Sequence, residues 1–254
     1  MKPAHPEPAK ARRRDRQPMF FVPGAIIVLL TLLLAIQLLR TLLTPELDQF
    51  IIVMLGIVPG KYMAGVISAF PGGAWAALPA FISYAFLHAG YTHLVINSAW
   101  LLAFGSLTVR KLGTPRFLAL YLICGVSAGV AHILVNPASL TPMVGASGAI
   151  SGLMGAGFRM FLNDFLESAG ARPHDSDRTG ARQPVRLAPL HDKRFLIMSG
   201  AWVLGNILFG LTGIRVSEQV LMIAWDAHIA GFVTGALLIG LIVRTQKVSN
   251  VTSG

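Results

Sequence analysis

Six stretches of predominantly apolar residues, separated by more polar connections, dominate the pattern of this chain. They cover about residues 20–40, 91–109, 116–136, 146–165, 195–214 and 222–243. Because a helix needs roughly 17–25 apolar residues to cross the hydrocarbon core of a bilayer, each stretch is long enough to span a membrane. The pattern therefore predicts an all-α membrane protein with six transmembrane helices.

Two of the connections are long, and they differ in character. Residues 44–90 join spans one and two and are rich in apolar and aromatic side chains. The run from Phe50 to Val58 within them is too short to span, so we expect it to lie in the membrane interface. Residues 166–193 join spans four and five and are polar and rich in arginine, which is typical of a solvated linker.

Composition supports a membrane protein, and charge orients it. Of the 254 residues, 54% are hydrophobic and 13% are charged, whereas soluble domains carry about 25% charged residues. The net charge of +10 could suggest nucleic acid as a partner. However, 18 of the 21 Lys and Arg lie before span one, between spans two and three, around the loop between spans four and five, or after span six. The positive-inside rule then explains the basic excess as a topology signal, and no nucleic-acid partner is expected.

This topology divides the chain into three parts. A basic cytoplasmic tail (1–19) precedes the membrane domain (20–245), and a short cytoplasmic tail (246–254) follows it. The 44–90 connection lies outside and the 166–193 loop lies in the cytoplasm. Cys124, the only cysteine, falls within span three, so an intramolecular disulfide or a cysteine-based zinc site is excluded.

Several strongly polar side chains fall within the spans at similar depth. His93 and Asn97 are four residues apart and share one face of span two, Ser147 begins span four, and His228 lies near the start of span six. Spans two, four and six all run from outside to inside under the predicted topology, so these residues share the outer half of the bundle. Polar groups within spans are costly and mark functional sites.

Small residues follow both Ser147 and His228 at helical spacing. Such stripes let membrane helices approach closely. If the two stripes face each other, the serine and the histidine can come within hydrogen-bond reach. The glycines expected to pack near the site are Gly145, Gly148, Gly152, Gly231 and Gly235, with Gly155 extending the first stripe.

Together these residues predict a serine nucleophile, Ser147, with His228 as its base and with His93 and Asn97 as donors to an oxyanion. Each residue also has a structural interpretation. A serine among glycines is commonly a packing residue, a lone histidine in a span commonly bonds a carbonyl, and the His93–Asn97 pair could join two helices. The residues alone leave these alternatives open.

Four neighbouring polar residues are expected to take no part in catalysis. His132 and Asn136 repeat the four-residue spacing, but Pro137 follows at once and places them at the interface. Asp226 lies two residues before His228, which is about 200° around a helix, so it should point away from that histidine. His88 precedes span two, and we expect it to brace the outer loop.

Three motifs and a basic turn in this chain resemble those of the rhomboid family of intramembrane serine proteases. GASGA around Ser147 resembles the nucleophile motif, and AHIAGFVTG resembles the segment with the catalytic histidine, here His228. HAGYTHLVINSAWLLAFG, which contains His93 and Asn97, resembles the second-span motif, and RKLG resembles the basic turn after it. The motifs occur in the right order over about residues 84–240.

The resemblance implies a six-helix rhomboid-like bundle of bacterial type, in the inner membrane. It implies a Ser147–His228 dyad that cleaves transmembrane protein substrates in or near the outer leaflet without metal or cofactor. The backbone N–H of Ser147 would join His93 and Asn97 in the oxyanion hole. Many rhomboids place a tyrosine four residues after the serine, against the catalytic histidine. Here that position is Ser151, so either another side chain supports His228 or its ring is held differently.

Two other classes of function compete with this interpretation. The main alternative is a catalytically inactive rhomboid-like protein that binds membrane clients. Such relatives lack the serine or the histidine, and both are present here. A transporter or channel would predict repeated halves or spans broken at the midplane, and the sequence has neither.

Overall fold

Six long helices form the bundle in a computed structural model, which describes residues 22–63, 65–170, 185–216, 219–221 and 223–252. Each predicted span coincides with one of them, and the predicted fold class is confirmed. The helices are α1 (Gly24–Arg40), the continuous pair α5 (Tyr91–Trp100) and α6 (Ser106–Leu112), α7 (Thr114–Val135), α8 (Ser147–Gly170), α9 (Lys193–Thr212) and α10 (Trp225–Thr252). Among the described residues, four helices are long and apolar enough by themselves to cross a membrane; they are Tyr91–Leu112, Thr114–Val135, Lys193–Thr212 and Trp225–Arg244.

Shorter elements fill the connections. After α1 come α2 (Pro45–Leu55), 3-10 turns at Pro59–Tyr62 and Ile67–Ala69, α3 (Gly73–Ala77), α4 (Ala80–Ser83) and a 3-10 turn at Tyr84–Phe86. A π-helical turn at Leu101–Gly105 joins α5 to α6. A small antiparallel hairpin of β1 (Ile214–Val216) and β2 (Gln219–Leu221) lies between α9 and α10.

Several helix ends differ from the predicted boundaries. The interfacial helix α2 begins at Pro45, ahead of the predicted run at Phe50, because Thr44 caps it by accepting a hydrogen bond from the N–H of Leu47. Helix α8 continues to Gly170, so the predicted loop at 166–193 starts later than expected. Residues 171–184 of that loop and the predicted tail 1–19 lie outside the described residues. Helix α10 continues to Thr252, through most of the predicted C-terminal tail.

Helix α8 lies at the centre of the bundle, between α7 and α10. Its Ala149, Leu153 and Ala156 are fully buried, and they share a core with Cys124 of α7 and Ile239 of α10. Because lipid tails are as apolar as these side chains, close van der Waals packing rather than removal from water holds the three helices together. The central position gives the first residue of α8 fixed neighbours on several sides.

The connection between α1 and α5 leaves and returns at the same end of the bundle. The guanidinium of Arg40 forms two hydrogen bonds with the carboxylate of Asp48, at 2.7 and 3.0 Å, and its Nη1 donates to the carbonyl of His88 at 2.6 Å. One buried cation thus ties both ends of the connection to the end of α1. The connection also pairs with the loop before α8, through a bridge between Ile57 and Met143.

Candidate functional site

The loop before α8 places Ser147 at the first position of that helix. Gly145 has φ +121°, a conformation that residues with side chains rarely adopt, and its N–H donates to the carbonyl of Tyr84 at 2.9 Å. The first N–H groups of a helix have no partners within the helix. Ser147 is half-buried, so both its hydroxyl and its backbone N–H lie at a helix N-terminus where a developing negative charge is favoured.

His93 and Asn97 of α5 lie directly against this loop. A β-carbon at Gly145 would be 2.6 Å from Cε1 of His93 and 3.4 Å from Nδ2 of Asn97, so only glycine fits there. Gly145 therefore packs against the side chains of His93 and Asn97. The Nδ2 of Asn97 is buried and has no hydrogen-bond partner among the described residues.

Helix α10 meets α8 backbone to backbone. A β-carbon at Gly231 would collide with the carbonyl oxygen of Gly148, and one at Gly235 would collide with that of Gly152. The two glycine stripes therefore face each other. His228 lies one turn before Gly231, so the packing brings it to the end of α8 that begins with Ser147.

The imidazole of His228 has a partner that the sequence analysis missed. Its Nδ1 lies 2.8 Å from Oδ1 of Asn206 in α9, and Nδ2 of Asn206 donates to the carbonyl of Trp202 at 2.8 Å. Asn206 stands in a span that is otherwise largely apolar. His228 was singled out because a polar residue within a span commonly has a function. The same reasoning applied to span five would have singled out Asn206.

Asp226 belongs to a different set of interactions. Its carboxylate accepts hydrogen bonds from Nδ2 of Asn136 at 2.6 Å and from Nδ1 of His132 at 2.9 Å. Asp226 is buried. This network ties the start of α10 to the end of α7, and it agrees with the structural role expected for His132 and Asn136 and with the expectation that Asp226 points away from His228.

His88 lies behind His93, outside the spans. It is fully buried, and its ring meets the ring of His93 edge to face, with centroids 5.1 Å apart. Burial, together with the nearby His93 and Arg40, lowers the pKa of His88 to about 3. The imidazole of His88 is therefore neutral at physiological pH and adds no charge beside the site.

These features define an integral membrane protein in which polar side chains from separate helices gather at one end of the bundle. The chain matches the Rhomboid domain over residues 71–245. It therefore belongs to the rhomboid family.

Curated relatives agree with this membership. The chain is 37% identical to Rhomboid protease GluP of Bacillus subtilis over 87 residues, 33% of this chain and 17% of that protein. It is 37% identical to RHOMBOID-like protein 5 of Arabidopsis thaliana over 75 residues, 30% of this chain and 24% of the relative. It is 27% identical to Rhomboid protease GlpG of Yersinia pestis over 157 residues, 62% of this chain and 45% of the relative. The chain spans less than half the length of each of these relatives.

Proposed function

We propose that this protein is an intramembrane serine endopeptidase that cleaves transmembrane helices by a Ser147–His228 dyad. The observation that carries the proposal is the convergence of three helices on one point. Gly145 packs on His93 and Asn97 of α5, while Gly148 packs on Gly231 of α10. The names of the relatives, two of which are called rhomboid proteases, support the same activity.

The proposed reaction begins with attack of the Ser147 oxygen on the carbonyl carbon of the scissile peptide bond. His228 accepts the hydroxyl proton as the new carbon–oxygen bond forms, and later gives it to the leaving nitrogen as the carbon–nitrogen bond breaks. Water then attacks the ester carbon while His228 accepts a proton from it, and His228 returns this proton to the Ser147 oxygen as the bond between that oxygen and the ester carbon breaks. The products are a carboxylate and a free amine, with Ser147 regenerated.

The oxyanion of the tetrahedral intermediate would be stabilised by the backbone N–H of Ser147 and by Asn97 and His93. The unpartnered Nδ2 of Asn97 supports this role, because a buried donor without a partner is costly and is free to bond a charge that develops there. Removal of one such donor costs about 10²–10³ in turnover in well-studied hydrolases.

The side of cleavage follows from the charge distribution. Under the positive-inside rule the Ser147 end of the bundle would lie outside, flanked by the connection at 44–90. We propose that substrates are transmembrane proteins, cleaved within or near the outer leaflet. A helix-destabilising sequence in the substrate would expose its backbone to Ser147.

The test is cleavage of a single-span reporter protein by the purified protein in liposomes, together with labelling of Ser147 by a fluorophosphonate. We expect the wild type to cleave, and Ser147→Ala and His228→Ala to lose cleavage while remaining folded. Ser106→Ala is the matched control, since it removes a different serine hydroxyl, which is buried and has no partner among the described residues, and it should stay active.

Two outcomes would contradict the proposal. Clear residual cleavage in both Ser147→Ala and His228→Ala would mean that the dyad is assigned wrongly. A wild type that binds the reporter without cleaving it would favour the client-binding alternative instead.

A further inference from the structure

Helices α9 and α10 contact each other through three successive pairs of residues. Trp202 stacks on Phe232 with centroids 4.5 Å apart, and Asn206 bonds to His228. Gly210 packs so closely on the ring of Trp225 that a β-carbon there would collide with it. The α9 members are spaced four residues apart, so they lie on one face of the helix. The contacts on both sides fix the position of Asn206 relative to His228.

The hydrogen bonds of Asn206 determine which way its amide faces. The carbonyl of Trp202 can only accept, so the Nδ2 donor of Asn206 must face it, at 2.8 Å. Oδ1, which can only accept, is then left for His228. The Nδ1 atom of His228 must therefore carry the proton.

This tautomer is the one that catalysis requires. In a neutral imidazole with Nδ1 protonated, Nε2 has the free lone pair and can accept a proton. The Ser–His–Asp triad uses an acceptor at Nδ1 for the same purpose, and an asparagine is the third member of the Cys–His–Asn triad of papain-like proteases. The other tautomer would present an N–H to Ser147 and could not act as its base.

We propose that Asn206 is a positioning residue that fixes the tautomer and the ring orientation of His228, so that this chain works with a Ser147–His228–Asn206 arrangement. The proposal rests on the proposed function of Ser147 and His228. It also explains how His228 can be supported although Ser151 stands where many rhomboids have a tyrosine ring. An amide from α9 supports the histidine instead.

An amide suits this position because both of its polar atoms are paired and it is uncharged. When His228 is protonated during the reaction, Nδ1–H continues to donate to Oδ1 of Asn206. The ring therefore keeps its orientation between the step that removes the proton from Ser147 and the step that returns it to the leaving amine. Free rotation of the ring would lose part of the benefit of general-base catalysis, which is about 10²–10⁴ in rate.

The first test reads the tautomer directly. The full-length protein labelled with ¹⁵N-histidine is studied by NMR, with the His228 signal assigned by its loss in His228→Ala. We expect Nδ1 of His228 to be protonated in the wild type and also in Ser147→Ala. This preference should be lost in Asn206→Leu, which keeps the branched shape of the side chain but removes its polar atoms. The tautomer of His228 in Ser147→Ala is measured without any proteolysis, so this readout stands even if the proposed function fails.

The second test measures kcat and KM separately. Asn206→Leu should lower kcat by about tenfold or more with little change in KM, since general-base catalysis is affected and binding is not. Asn206→Asp keeps an acceptor oxygen and should restore part of kcat. Ser199→Ala is the matched control, two turns earlier on α9, where the buried hydroxyl has no partner among the described residues.

Three outcomes of these tests would overturn the proposal. A His228 with Nε2 protonated in the wild type, or an unchanged tautomer and kcat in Asn206→Leu, would overturn it. So would equal losses in Asn206→Leu and Asn206→Asp with the tautomer preserved, because that pattern indicates only a packing role.

Discussion

The backbone of Gly231 in α10 lies against the carbonyl oxygen of Gly148 in α8, with no space for a side chain between them. The same contact recurs one turn further along, between Gly235 and Gly152. Two such contacts fix the position of α10 along α8 and its rotation about its own axis. They therefore fix where His228, one turn before Gly231, stands relative to Ser147.

We expect Gly231→Ala to lose activity and stability together. Its new methyl group would collide with the carbonyl of Gly148, and overpacking of this kind costs about 1–3 kcal/mol. Gly240→Ala is the control on the same helix, because its β-carbon would meet only Nη1 of Arg159, at an ordinary 3.5 Å. Unfolding temperature in detergent and reporter cleavage are the measurements. An active, stable Gly231→Ala alongside a damaged Gly240→Ala would show that the close contact is not what aligns the helices.

We expect Asn97→Ala to lower turnover without lowering stability. Its Nδ2 has no partner among the described residues, so the folded protein loses no hydrogen bond of that group. The transition state would lose a donor, at a cost of about 10²–10³ in kcat, or less because the backbone N–H of Ser147 remains. His93→Ala should act in the same direction. The measurements are kcat, KM and unfolding temperature.

His132→Ala is the contrast to these two variants. It removes a partner of Asp226 and should lower stability more than turnover. If His132→Ala reduced kcat as much as His93→Ala, the oxyanion donors would have been assigned to the wrong histidine–asparagine pair.

Asp226→Asn should remain substantially active but be less stable. The carboxylate is buried and bonded to His132 and Asn136 of α7, and loss of hydrogen bonds to a buried charged group costs about 1.5–3 kcal/mol. We expect kcat of the folded protein to stay within a few-fold of wild type, with a lower unfolding temperature. A loss of kcat comparable to that of His228→Ala would instead make Asp226 part of the catalytic machinery.

Acid should destabilise the protein partly through His88. Its folded-state pKa of about 3 lies below the usual 6.5, so the unfolded chain binds the proton more readily and stability is lost as pH falls below about 6.5. Between pH 7 and pH 5 this amounts to roughly 2 kcal/mol. His88→Phe keeps an aromatic ring against His93 and cannot be protonated, so its unfolding temperature should fall less over this range. An equal fall in both proteins would exclude His88 as a source of acid sensitivity.

The sequence predicted the six helices, the two glycine stripes and the separation of Asp226 from His228, because span length and helical spacing are local properties of the chain. The partner of His228 could not be derived in the same way. Asn206 precedes His228 by 22 residues, and their contact depends on how α9 packs against α10. The hydrogen bond from Arg40 to the carbonyl of His88 likewise joins residues that are 48 positions apart in the chain. Such pairings are set by tertiary packing, which periodicity does not encode.

The side of the membrane on which the site lies is the remaining prediction. With 18 of the 21 Lys and Arg on one side, the loop before α8 should face outward and the loop before α9 should face the cytoplasm. The test uses single cysteines in a Cys124→Ala background, because the native cysteine is fully buried and its removal leaves the engineered site alone to react. Ala138→Cys reports the loop before α8 and Leu190→Cys the loop before α9; both positions are exposed. A membrane-impermeant thiol reagent applied to intact cells should label Ala138→Cys at once and Leu190→Cys only after lysis. The opposite pattern would reverse the topology, and cleavage in the outer leaflet would be wrong with it.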